Sequence, residues 1–182
     1  MGRVGVGVRV ISEEVLCEGK RVRLIQKRMV INGREVVRDV VDFGEAVAIV
    51  PVLDDGRVVM LRQYRAPVNE WVYEVPAGRV EPGEDVIDAA RRELIEETGY
   101  EASDIRRVVS IYTAPGYSNE VLHICIARGL TYVGARPEPG ELIEIVELPL
   151  MDAIAKVLRC RVSDAKTLIS LMLYRYVGEQ EG

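Results

Sequence analysis

Apolar and polar residues alternate along two runs near the start of the chain, Val22 to Val30 and Glu35 to Asp42. Between them stands Asn32-Gly33, a dipeptide that suits a two-residue hairpin turn because both turn positions need positive φ. The run AVAIVPVL, the short polar DDGR and the run VVMLRQY then read as strand, tight turn and strand, and WVYEVPA as a further strand. VVSIYTA, VLHICIA and, after a Pro-Gly loop, LIEIVELPL continue the β pattern. Helical spacing occurs in three places: about Asp85 to Thr98, Met151 to about Leu158, and Ser163 or Asp164 to Tyr176, where Leu168, Leu171, Met172 and Tyr176 recur. Strands dominate with one long helix among them. The expected fold class is α/β: mixed β-sheets between α-helices, with residues 1–43 as an antiparallel β extension and residues 44–182 as the main domain.

The stretch GRVEPGEDVIDAARRELIEETGY, residues 78–100, carries the candidate chemistry. Pro82 and Gly83 end a loop, Asp85 and Asp88 place negative charge near a helix N-terminus, and Gly99 stops the helix. At about 100° per residue, Val86, Ile87, Ala90 and Leu94 share one stripe, and Glu93, Glu96 and Glu97 lie on the adjacent arc. Three carboxylates within one turn repel each other unless a cation neutralises them. Hard divalent ions such as Mg2+ prefer carboxylate oxygens and keep waters, so the cluster suits an ion that bridges to substrate phosphates. An arbitrary acidic run of this kind is a solvated helix face; Gly78, Arg92 and Gly99 around it change that reading.

Composition narrows the partners. Of 182 residues, 48% are hydrophobic and 29% charged, and the net charge of -5 gives no general attraction to nucleic acid or to an anionic membrane. Phosphate binding must then be local, through placed arginines or metal ions. Cys17, Cys125 and Cys160 are odd in number, far apart and free of any C-x-x-C spacing, which fits neither a disulfide framework nor a zinc site and points to the cytoplasm. No apolar run reads as a leader or a membrane span. His123, the sole histidine, sits in the alternating VLHICIA and reads as a half-buried strand residue, so a Ser-His-Asp triad has no support.

The same stretch fits G-x5-E-x7-R-E-U-x-E-E-x-G-U, with U a bulky apolar residue, at Gly78, Glu84, Arg92, Glu93, Leu94, Glu96, Glu97, Gly99 and Tyr100. At usual residue frequencies its seven fixed identities arise by chance once in roughly 10^8 to 10^9 windows. It resembles the Nudix box of the Nudix hydrolases, with Tyr100 aromatic where an aliphatic residue is usual. LRQYRAPVNEWVYEVPAGRVEPGE, TAPGYSNEV, PEPGELIEIVELPL and SDAKTL resemble the ADP-ribose pyrophosphatase branch, and Pro115, sixteen residues after Gly99, falls where that branch has its marking proline. The likeness spans roughly Val36 to Leu173.

The resemblance implies Mg2+-dependent hydrolysis of ADP-ribose to AMP and ribose 5-phosphate, with two or three ions and Mn2+ as a possible substitute. Another nucleotide sugar or a dinucleotide such as NADH, FAD or a diadenosine polyphosphate is the alternative substrate. A catalytically silent ADP-ribose-binding domain is the more distant one. Carried over by position, Glu93, Glu97 and the Ala77 carbonyl are metal ligands, Glu96 a ligand or the support of a ligand-bearing turn, and Glu141 completes the metal and water site. The loop around Glu141 departs from the usual pattern, so Glu141 and Glu138 both stand as the general base, with Glu97 behind them. Arg65 matches a phosphate-contacting arginine, and Arg79 and Gly116 match substrate-lining positions. Phe43, in DFGE where relatives carry His-Pro-Gly, either stacks on adenine or belongs to the core. A homodimer formed by exchange of the N-terminal extension is also implied, and valine-rich exposed strands need such a cover.

Overall fold

The computed structural model describes residues 7–136 and 140–181, with side chains described as far as residue 177. The chain forms two compact units. The described residues up to Gly44, together with Tyr112–Val121, make the first. The described residues of 45–111 and 122–181 make the second.

The first unit is built on a three-stranded antiparallel sheet in the order β1 (Val8–Glu18), β2 (Arg23–Ile31), β3 (Arg34–Asp42). Asn32 and Gly33 hold φ of 51° and 78°, the paired positive values that close the β2–β3 hairpin. Strand β1 has no counterpart among the sequence-based expectations. VRVISEEVLCE is exposed throughout and its pairing with β2 is broken by two register shifts, so its pattern is too weak to read in advance. The segment Tyr112–Val121 is tied to the end of β3: Val41 N–H donates to the Tyr117 carbonyl at 2.8 Å, and the Ser118 hydroxyl donates to the Val41 carbonyl at 3.1 Å.

Among its described residues the second unit carries two sheets and three helices. One sheet runs β10 (Ile143–Pro149), β5 (Arg57–Arg65), β6 (Glu70–Glu74), antiparallel throughout. The other runs β7 (Ala77–Arg79), β4 (Glu45–Pro51), β9 (Val121–Tyr132), β8 (Tyr100–Tyr112). All of β4 after Glu45 is buried, which explains why 46–51 reads as an unbroken apolar run rather than an alternating one. Helix α1 (Val86–Thr98) packs on β4 and β7. Val47, Ile49, Ala102, Cys125 and Ala127 from the sheet close around Ala89, Ala90 and Leu94 of the helix, all fully buried or nearly so. Helix α2 (Leu150–Leu158) contacts β10, β5 and α3 (Ala165–Glu181), and α3 contacts β4 and β6.

The buried face of α3 follows only part of the apolar spacing. Leu171 is buried and Leu168 half-buried, but Met172 and Tyr176 are exposed, and Thr167 and Ser170 point inward beside Leu171. Thr167 is turned in because its hydroxyl accepts the Val75 N–H at 2.9 Å, and Ser170 satisfies its own hydroxyl on the Lys166 carbonyl. No helix among the described residues is long and apolar enough to cross a membrane.

Candidate active site

Helix α1 begins and ends where its sequence demands. The Asp85 carboxylate accepts the Ile87 N–H at 2.7 Å as N-cap, and Gly99, at φ 74°, donates its N–H to the Ile95 carbonyl as the left-handed C-cap. A side chain at residue 99 would meet the backbone of Ala135 at 2.5 Å, so glycine is required there twice over. Tyr100, the aromatic departure, has its own partners: its hydroxyl donates to Glu147 at 2.8 Å and its ring meets Tyr132 edge-on at 5.5 Å.

The acidic arc of α1 is only half a surface. Glu97 is 5% exposed and Glu93 also lies largely out of water, whereas Glu96 has a side chain 38% exposed. Glu93 rests its carboxylate on Gly78: a Cβ built on that glycine would stand 1.9 Å from the Glu93 carboxyl carbon. The glycine is therefore the socket of the glutamate. Arg92 clamps the region. It forms two hydrogen bonds with Glu84, at 2.9 and 3.0 Å, one with Glu93 at 2.7 Å, a longer one with Glu96 at 3.4 Å, and one with the Arg79 carbonyl at 2.9 Å. Arg92 thus joins Glu84 to the metal-ligand candidates Glu93 and Glu96.

Glu97 accepts the Ala77 N–H at 2.9 Å, so two of the proposed ligand residues are neighbours. Burial pushes the Glu97 carboxyl up to about 8; the Ala77 N–H works against this, and the charges of Glu93 and Glu141 add to it. Glu93 is raised as well, by burial first and by Glu96 and Glu141, with Arg92 opposing. Glu93, Glu97 and Glu141 thus lie within one another's electrostatic reach. Among the described residues no three carboxylates converge as a preformed cage, since Glu93 and Glu96 lean to Arg92 and Glu97 to Ala77. The donor set nevertheless fits a hard divalent ion. Burial and mutual repulsion disfavour the charged forms of Glu93 and Glu97, and a cation is what would favour those forms and draw the two together.

Arg65, at the end of β5, meets Glu74, at the end of β6, through Nε and Nη2, both at 2.8 Å. Glu74 is 2% exposed and also takes an ion pair from Lys166 of α3, which Asp164 shares at 3.0 Å. The sequence reading missed this network. Its available signal was a lone carboxylate inside the apolar WVYEVPA. Gln63, two residues before Arg65 and on the same face of β5, has its buried Oε1 without a hydrogen-bond partner among the described residues. Such an acceptor is what a water or a ligand hydroxyl satisfies.

The remaining candidates are scattered. Arg79 has an exposed side chain on β7. Phe43 and Gly116 belong to the first unit; the Phe43 N–H donates to Asn119 at 3.0 Å, and Gly116 lies exposed in a turn. Glu138 lies outside the described residues. His123 is buried between Ser110 at 2.8 Å and Glu45 at 3.2 Å, as a strand histidine with structural partners. Trp71, near the start of β6, is 40% exposed, with Arg62 over its ring at 4.5 Å from the centre.

The NUDIX domain pattern matches residues 42–170 of this chain, taking in α1, β7 and both sheets of the second unit. The chain belongs to the Nudix family. It is 34% identical to a Bacillus subtilis protein named ADP-ribose pyrophosphatase, covering 90% of each chain. It is equally 34% identical to the methanol dehydrogenase activator of Bacillus methanolicus, covering 95% of this chain and 94% of that one. Among solved structures it resembles a crystal structure of an ADP compounds hydrolase, with a TM-score of 0.85, 25% identity and 96% of each chain covered. The Nudix α/β fold expected from the sequence is thus present, and the chain is a Nudix hydrolase of the ADP-ribose pyrophosphatase branch. Nudix hydrolases generally depend on divalent metal ions.

Proposed function

We propose that this chain hydrolyses the pyrophosphate linkage of ADP-ribose, yielding AMP and ribose 5-phosphate. The observation that carries the reading is the Glu97 site: a buried carboxylate on the Nudix helix, hydrogen-bonded to Ala77 and within reach of the charges of Glu93 and Glu141. The relative named ADP-ribose pyrophosphatase, similar over nine-tenths of both chains, supplies the substrate class.

Glu93, Glu97, Glu141 and the Ala77 carbonyl would hold two or three Mg2+ ions, which Mn2+ can replace, with Glu96 as a further ligand or the support of a ligand-bearing turn. Such ions supply neutralisation of the diphosphate and acidification of the attacking water. Glu141 or Glu138 receives the proton of that water, with Glu97 as the third candidate. Water adds to one phosphorus, its bond to the bridging oxygen breaks, and Arg65 stabilises charge on the phosphates. Arg79, Gly116 and Phe43 are assigned to the rest of the substrate.

We assign the N-terminal extension, with its strands β1–β3, to dimerisation. Val8, Val10, Ile11, Val15 and Leu16 on β1 are each more than two-fifths exposed, a density of apolar side chains that a second copy would cover. The three unpaired cysteines favour the cytoplasm.

Incubation with ADP-ribose, a nucleotide sugar, NADH, FAD and a diadenosine polyphosphate, each with Mg2+ and products identified by mass, tests the reading. AMP and ribose 5-phosphate from ADP-ribose, at the highest kcat/KM of the panel, is the expected result. Faster turnover of another member would reassign the substrate, and binding without turnover would make this a sensing domain.

A further inference from the structure

We propose that Glu74 is a positioning residue, which aims the Arg65 guanidinium at the substrate diphosphate and is itself held by Lys166. The inference rests on the phosphate-contacting role given to Arg65 above. A carboxylate 2% exposed, at the end of a strand and otherwise among apolar residues, is costly to keep in the interior unless it is paired. Here it has two cations from different elements, Arg65 of β5 and Lys166 of α3. The Arg65 bonds run in parallel, Nε to one oxygen and Nη2 to the other, each 2.8 Å, so the plane of the carboxylate fixes the plane of the guanidinium. Contact through the Nε side turns the Nη1 end of the fork away from Glu74, toward whatever second anion arrives. With Lys166 on Glu74 as well, Arg65 can share its charge with a phosphate without leaving a bare carboxylate in the interior.

The backbone after Glu74 is pinned residue by residue. Val75 N–H donates to Thr167, the Pro76 carbonyl accepts the Ile49 N–H, and Ala77 N–H donates to Glu97, all between 2.8 and 2.9 Å. One rigid four-residue segment therefore carries the anchor of Arg65 at its start and the anchor of Glu97 at its end. Arg65 and Glu97 also stabilise each other's charged forms, which places the guanidinium within electrostatic reach of the acidic cluster.

A double-mutant cycle separates aiming from mere support of α3. Arg65→Ala, Glu74→Gln and the double variant are purified, checked for folding by thermal melt, and assayed for kcat/KM on ADP-ribose. The expected result is a fall of at least tenfold for Glu74→Gln in the parent and less than twofold when Arg65 is already alanine. An equal fall in both backgrounds would show that Glu74 acts independently of Arg65 and would overturn the proposal. If Arg65→Ala alone leaves kcat/KM unchanged, the phosphate role of Arg65 fails first and the inference falls with it. Should Glu74→Gln not fold, Glu74→Asp, which keeps the charge but shortens the reach, enters the same cycle with the same two criteria.

Discussion

Magnesium affinity is expected to rise with pH and to level off near pH 8, and Glu97 sets that dependence. Its carboxyl is pushed up to about 8 by burial, with Glu93 and Glu141 adding to the shift and the Ala77 N–H and Arg65 resisting it. A cation binds the ionised form, so at pH 7 Glu97 must lose a proton in roughly nine molecules of ten. Each pH unit below 8 then weakens binding about tenfold, or about 1.4 kcal/mol. Affinity at pH 6 should lie about a hundredfold under its high-pH limit. Isothermal titration in two buffers of different ionisation enthalpy counts the protons directly: close to one released at pH 7 and close to none at pH 9. Glu97→Gln should flatten the dependence. An affinity indifferent to pH between 6 and 8, or an unchanged slope in Glu97→Gln, would rule Glu97 out as the ligand that titrates. The sign for stability without metal is the reverse. The folded value lies above the ordinary 4.5, so the folded chain retains a proton that the unfolded chain releases, and stability falls as pH rises from about 4.5 to 8. Added Mg2+ should offset that fall in thermal melts.

Three further outcomes follow from the geometry. Glu141→Gln should lower kcat well over tenfold with little change in KM, because its contribution is to the transition state; an unchanged kcat moves the base to another carboxylate. Gly78→Ala should fold, since the clash falls on the movable Glu93 side chain, yet lose most Mg2+-dependent turnover as Glu93 is driven from its socket; wild-type kcat would show that the socket is unimportant. A chain truncated before about Val41 should sediment as a monomer and the full chain as a dimer, and a monomeric full chain would end the assignment of β1–β3 to dimerisation.

What the sequence revealed depended on how local the cause was. The bounds of α1 were legible because Asp85 and Gly99 act on their own helix, and the β2–β3 hairpin because Asn32-Gly33 demands its turn. The buried run of β4 was legible from composition alone. Strand β1 was not, because cross-strand bonds to β2 hold it and no burial pattern marks it. The inward face of α3 was legible only at Leu171 and in part at Leu168, because Thr167 also turns in, its hydroxyl answering an N–H 92 residues earlier in the chain. Glu74 escaped notice for the same reason: Lys166, its partner on α3, is 92 positions away, and only folding brings them together. The box supplied Glu93, Glu97 and Arg92, but that Glu93 needs Gly78 as a socket is visible only in three dimensions.

The most direct test of the metal-cluster account is a crystal of the full chain soaked with Mg2+ and a non-hydrolysable ADP-ribose analogue. Cations within about 2.0 to 2.1 Å of the Glu93 and Glu97 oxygens, touching the analogue's diphosphate, are expected. An analogue bound with its diphosphate away from α1, and no cation on either glutamate, would contradict the account.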